Sequence, residues 1–469
     1  MWAATGLIVP PPELADAGRG IEVGGRNEAN ERNKASALDA RLTTALESRR
    51  QRQMLRSLAS SPSSPSEPPL VDFSSNDYLS FSRSPVLREK LLSSLTSSPS
   101  SPYGPPSSRL LDGNSSDHLR LESRLAAFFR APAALLSNSG FDANAGLWAC
   151  LPGPDDWIVF DELVHASMHD GMRASRVPKE RRRAFRHNSV RRLEEVLSDV
   201  CAQDDGVRTG QKSVWIGVES LYSMDGDLAP LLEIVDAVGR VLPAGNGHLV
   251  VDEAHSTGLY GPRGRGLVCA LGLEERITIR VHTFGKALAC SGAAVLASPL
   301  VRNYLINYAR PLIYSTVMTR MSALAAEQSL EMLEEGKGEK PAAHVHRLAR
   351  LFVSALLSSL PAASSISLPP HLLSLSLSGA PHPPTSPIIP LLTTSPRPLA
   401  AFLREKGFLV RPITYPTVPK GEERVRVCLH AGNLEDEVRG VAQGVLEWAR
   451  RQEGEKATSA LARAPRAKL

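Results

Sequence analysis

Two residues at the ends of neighbouring apolar runs suggest the chemistry. Leu249-Val250-Val251 leads into Asp252-Glu253-Ala254-His255, and the run Ile277–Val281 leads toward Thr283-Phe284-Gly285-Lys286. A lysine amine forms a Schiff base with an aldehyde. A carboxylate at the end of an adjacent buried strand can hold a proton on a pyridine nitrogen. The pair is what pyridoxal phosphate needs: a covalent anchor, and an anion that keeps the ring an electron sink.

Further residues fit around that pair. His255, three positions after Asp252, can reach a phenolic oxygen of the cofactor, although Asp-x-x-His also suits a strand-end cap or a metal pair. The metal reading needs more ligands at set spacing, and none stands nearby. Lys286 has a plain reading as a solvated loop lysine. Against it, Gly285 permits close backbone approach and Thr283 offers a hydroxyl to a phosphate. Ser137-Asn138-Ser139-Gly140-Phe141 follows the apolar run Ala133–Leu136 and opens a helical segment over Asp142–Cys150. Such a turn presents free N–H groups and the positive end of a helix dipole, which suits a phosphate, although Ser and Asn are also ordinary caps. His165 follows the run Trp157–Phe160 and could stack on a ring and later donate protons, or be structural. Ser223, in Tyr222-Ser223-Met224-Asp225-Gly226, could contact the ring, while Asp225-Gly226 serves equally as a turn.

The elements that must position these residues form a pattern. Between about residues 115 and 320, short apolar runs (Ala133–Leu136, Trp157–Phe160, Val214–Val218, His248–Val251, Arg280–Thr283, Ala293–Ala297) alternate with helix-like segments. Alternation of this kind predicts an α/β fold, a mostly parallel sheet covered by helices on both faces. Residues 325–360 read as helical, and 399–409, 424–429 and 434–452 as helix, strand and helix. The expected organisation is an N-terminal arm over 1–70, a large α/β domain over 71–325, a smaller α+β domain over 326–452, and a tail over 453–469. The arm carries one exposed amphipathic helix over 37–59. Three Ser/Pro stretches, Ser60–Pro69, Ser93–Ser108 and Ser364–Pro398, read as a linker and two surface insertions. The basic run Lys179–Arg186 reads as a solvated helix face, with attraction of CoA phosphates or nucleic acid as lesser alternatives.

Composition narrows the class. The 469 residues are 42% hydrophobic and 22% charged, with a net charge of +5. The excess is mild and scattered, which suits an anionic substrate better than nucleic acid. Five dispersed cysteines without a CxxC pair suggest free thiols in a reducing compartment. No apolar run approaches the roughly 20 residues of a membrane span. Glu13, Asp16, Glu22 and Glu28 argue against a transit peptide, and no signal-peptide core is visible. The final Ala467-Lys468-Leu469 has the small–basic–leucine pattern of a peroxisomal address, with a cytoplasmic location as the alternative.

Taken in order, these segments resemble the α-oxoamine synthases, pyridoxal phosphate enzymes of the aspartate-aminotransferase fold (type I). The resemblance runs from about residue 73 to 450. It rests on FSSNDYL from Phe73, SRLLDGN from Ser108, SNSGFDAN, DELVHASMHDG, FRHN, SLYSMDGDLAPL, VVDEAHSTGLYGPRGRG, TFGKALACSGAAV, LIYSTVM and RPITYPTVP with RVRVCL. It implies a large domain with a seven-stranded, mostly parallel sheet, and a smaller C-terminal domain. It implies Lys286 as the Schiff-base lysine, Asp252 as the pyridinium partner and His165 as the stacking histidine. Ser223 and His255 would lie near the ring, and Ser139, Gly140, Phe141 and Thr283 around the phosphate. Asn76 and Arg426 would meet the amino-acid substrate, with Arg411 as a second anion contact. Members are homodimers with the site at the interface, so Ser315 and Thr316 would reach the partner subunit's phosphate.

FRHN, LIYST and RPITYPTVP favour the branch that condenses L-alanine with pimeloyl-CoA. The rivals are 5-aminolevulinate synthase, glycine C-acetyltransferase, a serine palmitoyltransferase subunit, or a partner subunit without catalysis. The chain departs from the family at Tyr103-Gly104-Pro105-Pro106-Ser107, where prolines stiffen a loop expected to flex around the acyl chain.

Overall fold

The computed structural model describes residues 36–52, 54–56, 58, 69–97, 102, 104–361, 364–373 and 385–463, with only the backbone described beyond 454. The chain forms two compact units, residues 1–61 and 62–469. In the first, the helix Ala37–Gln51 starts at a capping box. Ser36 accepts from the Asp39 N–H, and the Asp39 carboxylate accepts from the Ser36 N–H. It stops at Gln51, short of the expected residue 59, and buries none of its side chains.

Among the described residues, the second unit carries twelve strands: β1 (Val71–Asp72), β2 (Ala133–Ser137), β3 (Trp157–Asp161), β4 (Arg182–Phe185), β5 (Val214–Glu219), β6 (Gly247–Asp252), β7 (Ile279–Thr283), β8 (Ala293–Ala297), β9 (Ile388–Leu392), β10 (Phe408–Leu409), β11 (Arg411–Ile413) and β12 (Arg424–Cys428). Seven form one sheet in the order β2-β8-β7-β6-β5-β3-β4. The strands from β3 to β7 are parallel to one another, and β8 runs antiparallel to both its neighbours. Every residue of β5 and β8 is buried, because helices cover both faces. That is why these strands read as continuous apolar runs and not as alternating ones. The fold is the type I fold of pyridoxal phosphate-dependent transferases.

The basic run is a correction. Lys179–Arg181 is a single 3-10 turn, and Arg182–Phe185 is the outermost strand of the sheet, with Arg183 and Ala184 exposed. Charged side chains on an edge strand discourage pairing with another chain. Their density masked the strand, whose only buried residue is Phe185.

A second sheet, β11-β12-β9, is antiparallel. Here too a reading fails. Ser364–Pro398 is not wholly a surface insertion, since Ile388–Leu391 are fully buried against β12. The Ser/Pro bias on either side hid an apolar strand (residues 374–384 lie outside the described part). The last helix, Glu435–Arg463, continues through most of the expected tail. Apolar side chains gather into two clusters, one around the seven-stranded sheet and one holding Phe73, Leu348–Leu356, β9, β12 and the helices Pro396–Glu405 and Glu435–Arg463. Among the described residues, no helix is long and apolar enough to cross a membrane.

Candidate active site

Parallel strands deliver their last residues to one edge of the sheet, and the candidate residues gather there. Asp252 ends β6, Thr283 ends β7 and Glu219 ends β5 directly across from Asp252. Asp252 is buried, and each carboxylate oxygen has a donor. Oδ1 accepts from the Ala254 N–H at 2.8 Å and Oδ2 from Asn144 Nδ2 at 2.7 Å. Each oxygen keeps a further acceptor position. Lys286 lies three residues beyond β7. Burial pushes its amine below the ordinary lysine range, opposed by the nearby charges of Asp252 and Glu219. Glu219 is raised well above the ordinary carboxylate range, first by burial and then by Asp252.

His165 caps the helix Ala166–Ala174. Its Nδ1 sits 2.7 Å from Ser167 Oγ and accepts from the Ser167 N–H at 3.2 Å. Burial lowers its pKa, with Asp252 pulling the other way and Lys286 adding to the drop. His255 is buried with Nδ1 2.6 Å from the Tyr78 hydroxyl. Its pKa is pushed well below normal by burial and then by Lys286, Arg426 and His165.

Ser139 caps the helix Gly140–Cys150. Its hydroxyl accepts from the Asp142 N–H and donates to the Asp142 carboxylate. The cap reading of Ser139 is thus real, and it coexists with a helix whose first N–H groups have no intrahelical acceptor. A Cβ at Gly140 would fall 2.1 Å from Thr283 Oγ1, so glycine lets the helix start abut the threonine hydroxyl. Phe141 is exposed and meets His165 edge to face at 6.4 Å. Ser315 and Thr316 lie beside Asn138, whose side chain donates to the Thr316 carbonyl at 2.8 Å.

The substrate-side residues converge from distant segments. Arg426 on β12 is buried; its Nε donates to the Ser223 carbonyl at 2.8 Å and its Nη2 to Asn76 Oδ1 at 3.0 Å. Ser223 is thereby tied to Arg426 through its backbone. Its neighbour Gly226 has φ 69° and would place a Cβ 2.0 Å from the Ile388 carbonyl oxygen, so the turn reading holds as well. Arg411 is exposed and stands opposite Arg426 in the β11–β12 register. Two guanidinium groups facing each other repel unless an anion lies between them.

Sequence reading passed over four contributors. Asn144, Ser167, Glu219 and Tyr78 each touch or adjoin the singled-out residues. A signal existed for Asn144 and Ser167, which stand inside the motif segments SNSGFDAN and DELVHASMHDG. Glu219 ends an apolar run, and Tyr78 stands in FSSNDYL.

The donors and cradle fit pyridoxal phosphate. A buried carboxylate with open acceptor positions stands beside a deprotonation-prone lysine. A glycine-opened helix start and the Thr283 hydroxyl form a concave polar corner that a Cβ would fill. Among the described residues, no group of three or more His, Cys, Asp or Glu could hold a metal ion.

Fold and site thus define a pyridoxal phosphate-dependent transferase. The chain belongs to the class I and II aminotransferase family, whose model matches residues 68–445. It is 46% identical over 388 residues to 8-amino-7-oxononanoate synthase of Emericella nidulans, covering 82% of this chain and 91% of that one. It is 36% identical to aminoacyl transferase sphA of Aspergillus fumigatus, covering 78% of each. Among solved structures, serine palmitoyltransferase of S. paucimobilis superposes with a TM-score of 0.72 at 23% identity, covering 87% of this chain and 97% of that one. An 8-amino-7-oxononanoate synthase from Francisella tularensis gives 0.64 at 24%, covering 82% and 99%.

Proposed function

We propose that this protein joins L-alanine to pimeloyl-CoA with loss of CO₂, releasing CoA and 8-amino-7-oxononanoate in biotin biosynthesis. The observation that carries this is the 46% identity to a synthase of that name across 91% of its length. Motif segments that meet at the site, FSSNDYL at Asn76 and RVRVCL at Arg426, are consistent with it.

Pyridoxal phosphate, when bound, supplies an electron sink for the negative charge that develops at the amino acid's Cα. The chain's own residues do the rest. Lys286 anchors the cofactor and moves the proton on and off Cα, a task helped by the burial that lowers its pKa. Asp252 keeps its charge against the pyridine nitrogen. His165, His255 and Ser223 position the ring. The helix start at Gly140 and Phe141, with Ser139 and Thr283, takes the phosphate. Arg426, with Asn76 on its Nη2, binds the amino acid's carboxylate, and Arg411 provides the second anion contact. In a homodimer, Ser315 and Thr316 reach the partner subunit's phosphate. The Ala467-Lys468-Leu469 terminus, outside the described residues, directs the protein to the peroxisome.

Measuring CoA release with alanine, glycine or serine against pimeloyl-, succinyl-, acetyl- or palmitoyl-CoA tests the reading. The expected pair is alanine with pimeloyl-CoA. Turnover with glycine and succinyl-CoA and none with alanine rejects it. A long-chain preference would favour instead the sphA-like reading, which the 36% relative supports. A protein that binds no cofactor reducible by borohydride would be a silent subunit.

A further inference from the structure

Asn144 sits on the buried face of the helix Gly140–Cys150 and reaches two elements at once. Its Nδ2 lies 2.7 Å from Asp252 Oδ2 and 3.1 Å from Ser167 Oγ. Ser167 is fully buried, and its Oγ lies 2.7 Å from His165 Nδ1. These contacts have one direction. An ionised carboxylate only accepts, so Asn144 must turn its NH₂ toward Asp252, with the second hydrogen aimed at Ser167. Ser167 Oγ then accepts, and its single hydrogen goes to the acceptor that remains, His165 Nδ1. The Ser167 backbone N–H points at the same nitrogen at 3.2 Å. Two donors aimed at one ring nitrogen leave no room for a proton on it.

We infer that Asn144 and Ser167 are positioning residues that lock His165 as its neutral Nε2–H tautomer, through a hydrogen-bond chain anchored on Asp252. The arrangement has a cost. Asn144 Oδ1 is buried without a partner, and turning the amide over would only set that oxygen against the Asp252 carboxylate. Among the described residues, Nε2 has no protein partner. A neutral Nε2–H is a fixed donor. It cannot accept a proton there, and giving one up would leave an imidazolate. In the resting protein, His165 therefore offers a directed hydrogen bond and not the proton-donating role expected for it. The same chain ties that orientation to the charge of Asp252, so ring protonation and histidine orientation are set by one carboxylate.

This inference rests on His165 lying at the cofactor site, and not on which amino acid or thioester reacts. The test is solid-state ¹⁵N NMR of the full chain with labelled histidine, the His165 signals being assigned by difference against His165→Asn. The expected spectrum has an unprotonated Nδ1 and a protonated Nε2, with or without cofactor. Ser167→Ala and Asn144→Ala should each introduce the Nδ1–H form, while Ser167→Thr, which keeps the hydroxyl, should restore the native signals. Ser167→Ala should also lower kcat about 10-fold with the cofactor absorbance retained, a misorientation effect. A protonated Nδ1 in the native protein overturns the inference. So do nitrogen signals that stay unchanged in both alanine variants while each remains folded. If Asn144→Ala does not fold, Ser167→Ala and Ser167→Thr decide alone.

Discussion

Asp252 and Glu253 are adjacent in the chain and serve opposite faces of the sheet. Asp252 faces the cleft, where Asn144 and the Ala254 N–H satisfy its two oxygens. Glu253 faces the interior behind the sheet. Its Oε1 accepts from Ser256 and the Val268 N–H, but Oε2 has no partner and lies 3.5 Å from the equally unpartnered Nε2 of His282. Burial raises Glu253 to about 7, and burial and then Arg280 push His282 well below its normal range. One carboxylate has a donor on each of its oxygens. The other is held near neutrality to spare the core a buried anion. Each acid accepts two hydrogen bonds, and both side chains are almost inaccessible, so what separates them is that the donors of Asp252 are shared between its two oxygens while those of Glu253 both fall on Oε1.

Breaking the front of the sheet should cost most. Lys286→Ala removes both anchor and proton carrier, and turnover should fall at least about 1,000-fold. Borohydride should then no longer fix the cofactor to the chain. Retained turnover would remove the whole reading of the site. Asp252→Ala should lower kcat about 100- to 1,000-fold by removing a charge that stabilises the reacting ring. It also takes from Asn144 one of its two acceptors, so a weaker cofactor absorbance band should accompany the loss.

The two arginines sharpen the comparison on the substrate side. Arg426→Ala should reduce kcat/KM about 100-fold, because losing the buried guanidinium also removes a donor from Asn76 and from the Ser223 carbonyl. Arg411→Ala, at an exposed position, should reduce it about 10-fold, mainly through KM. Equal effects would mean that exposure does not grade the pair.

Glu253→Gln should change activity least. Its signature is in stability against pH. The folded carboxyl titrates near 7, above its ordinary value of 4.5. Its contribution is therefore complete below pH 4.5 and is lost as pH rises through 7. The native protein should lose thermal stability across that window relative to Glu253→Gln, which has no proton to lose. Parallel curves would show that Glu253 is ionised in the folded state. At the clasp where His187 bridges Asp161 and Asp227 at 2.9 and 2.8 Å, burial opposes charging but the two carboxylates outweigh it, raising the imidazole to about 10. His187→Asn should lose stability below pH 6.5, and that difference should vanish as pH rises through 10.

Much of this was legible because buried parallel strands advertise themselves. Six of the seven strands of the main sheet read as apolar runs, and Lys286, Asp252 and Thr283 fell at or just beyond their ends. The seventh, Arg182–Phe185, was hidden because an edge strand with one buried residue carries no apolar signature. Ile388–Leu392 was hidden by the Ser/Pro bias around it; Ile389 and Leu391 are buried with β12 and the helices behind, while Ile388 packs into the main core. Asn144 and Ser167 were in view as letters but not as functions. Nothing local says that a side chain on one helix will meet the first turn of another.

The sequence by itself determined which chemical groups exist and which ends of which strands they follow, because strand burial and helix capping are written in short-range pattern. Only the tertiary structure decided which of two neighbouring acids finds a donor for each oxygen, which nitrogen of His165 is left bare, and that Asn76, Ser223 and Arg426 share one corner. Those outcomes depend on contacts between residues up to 350 positions apart. Hydrogen-bond direction and desolvation act across such gaps with no trace in local spacing.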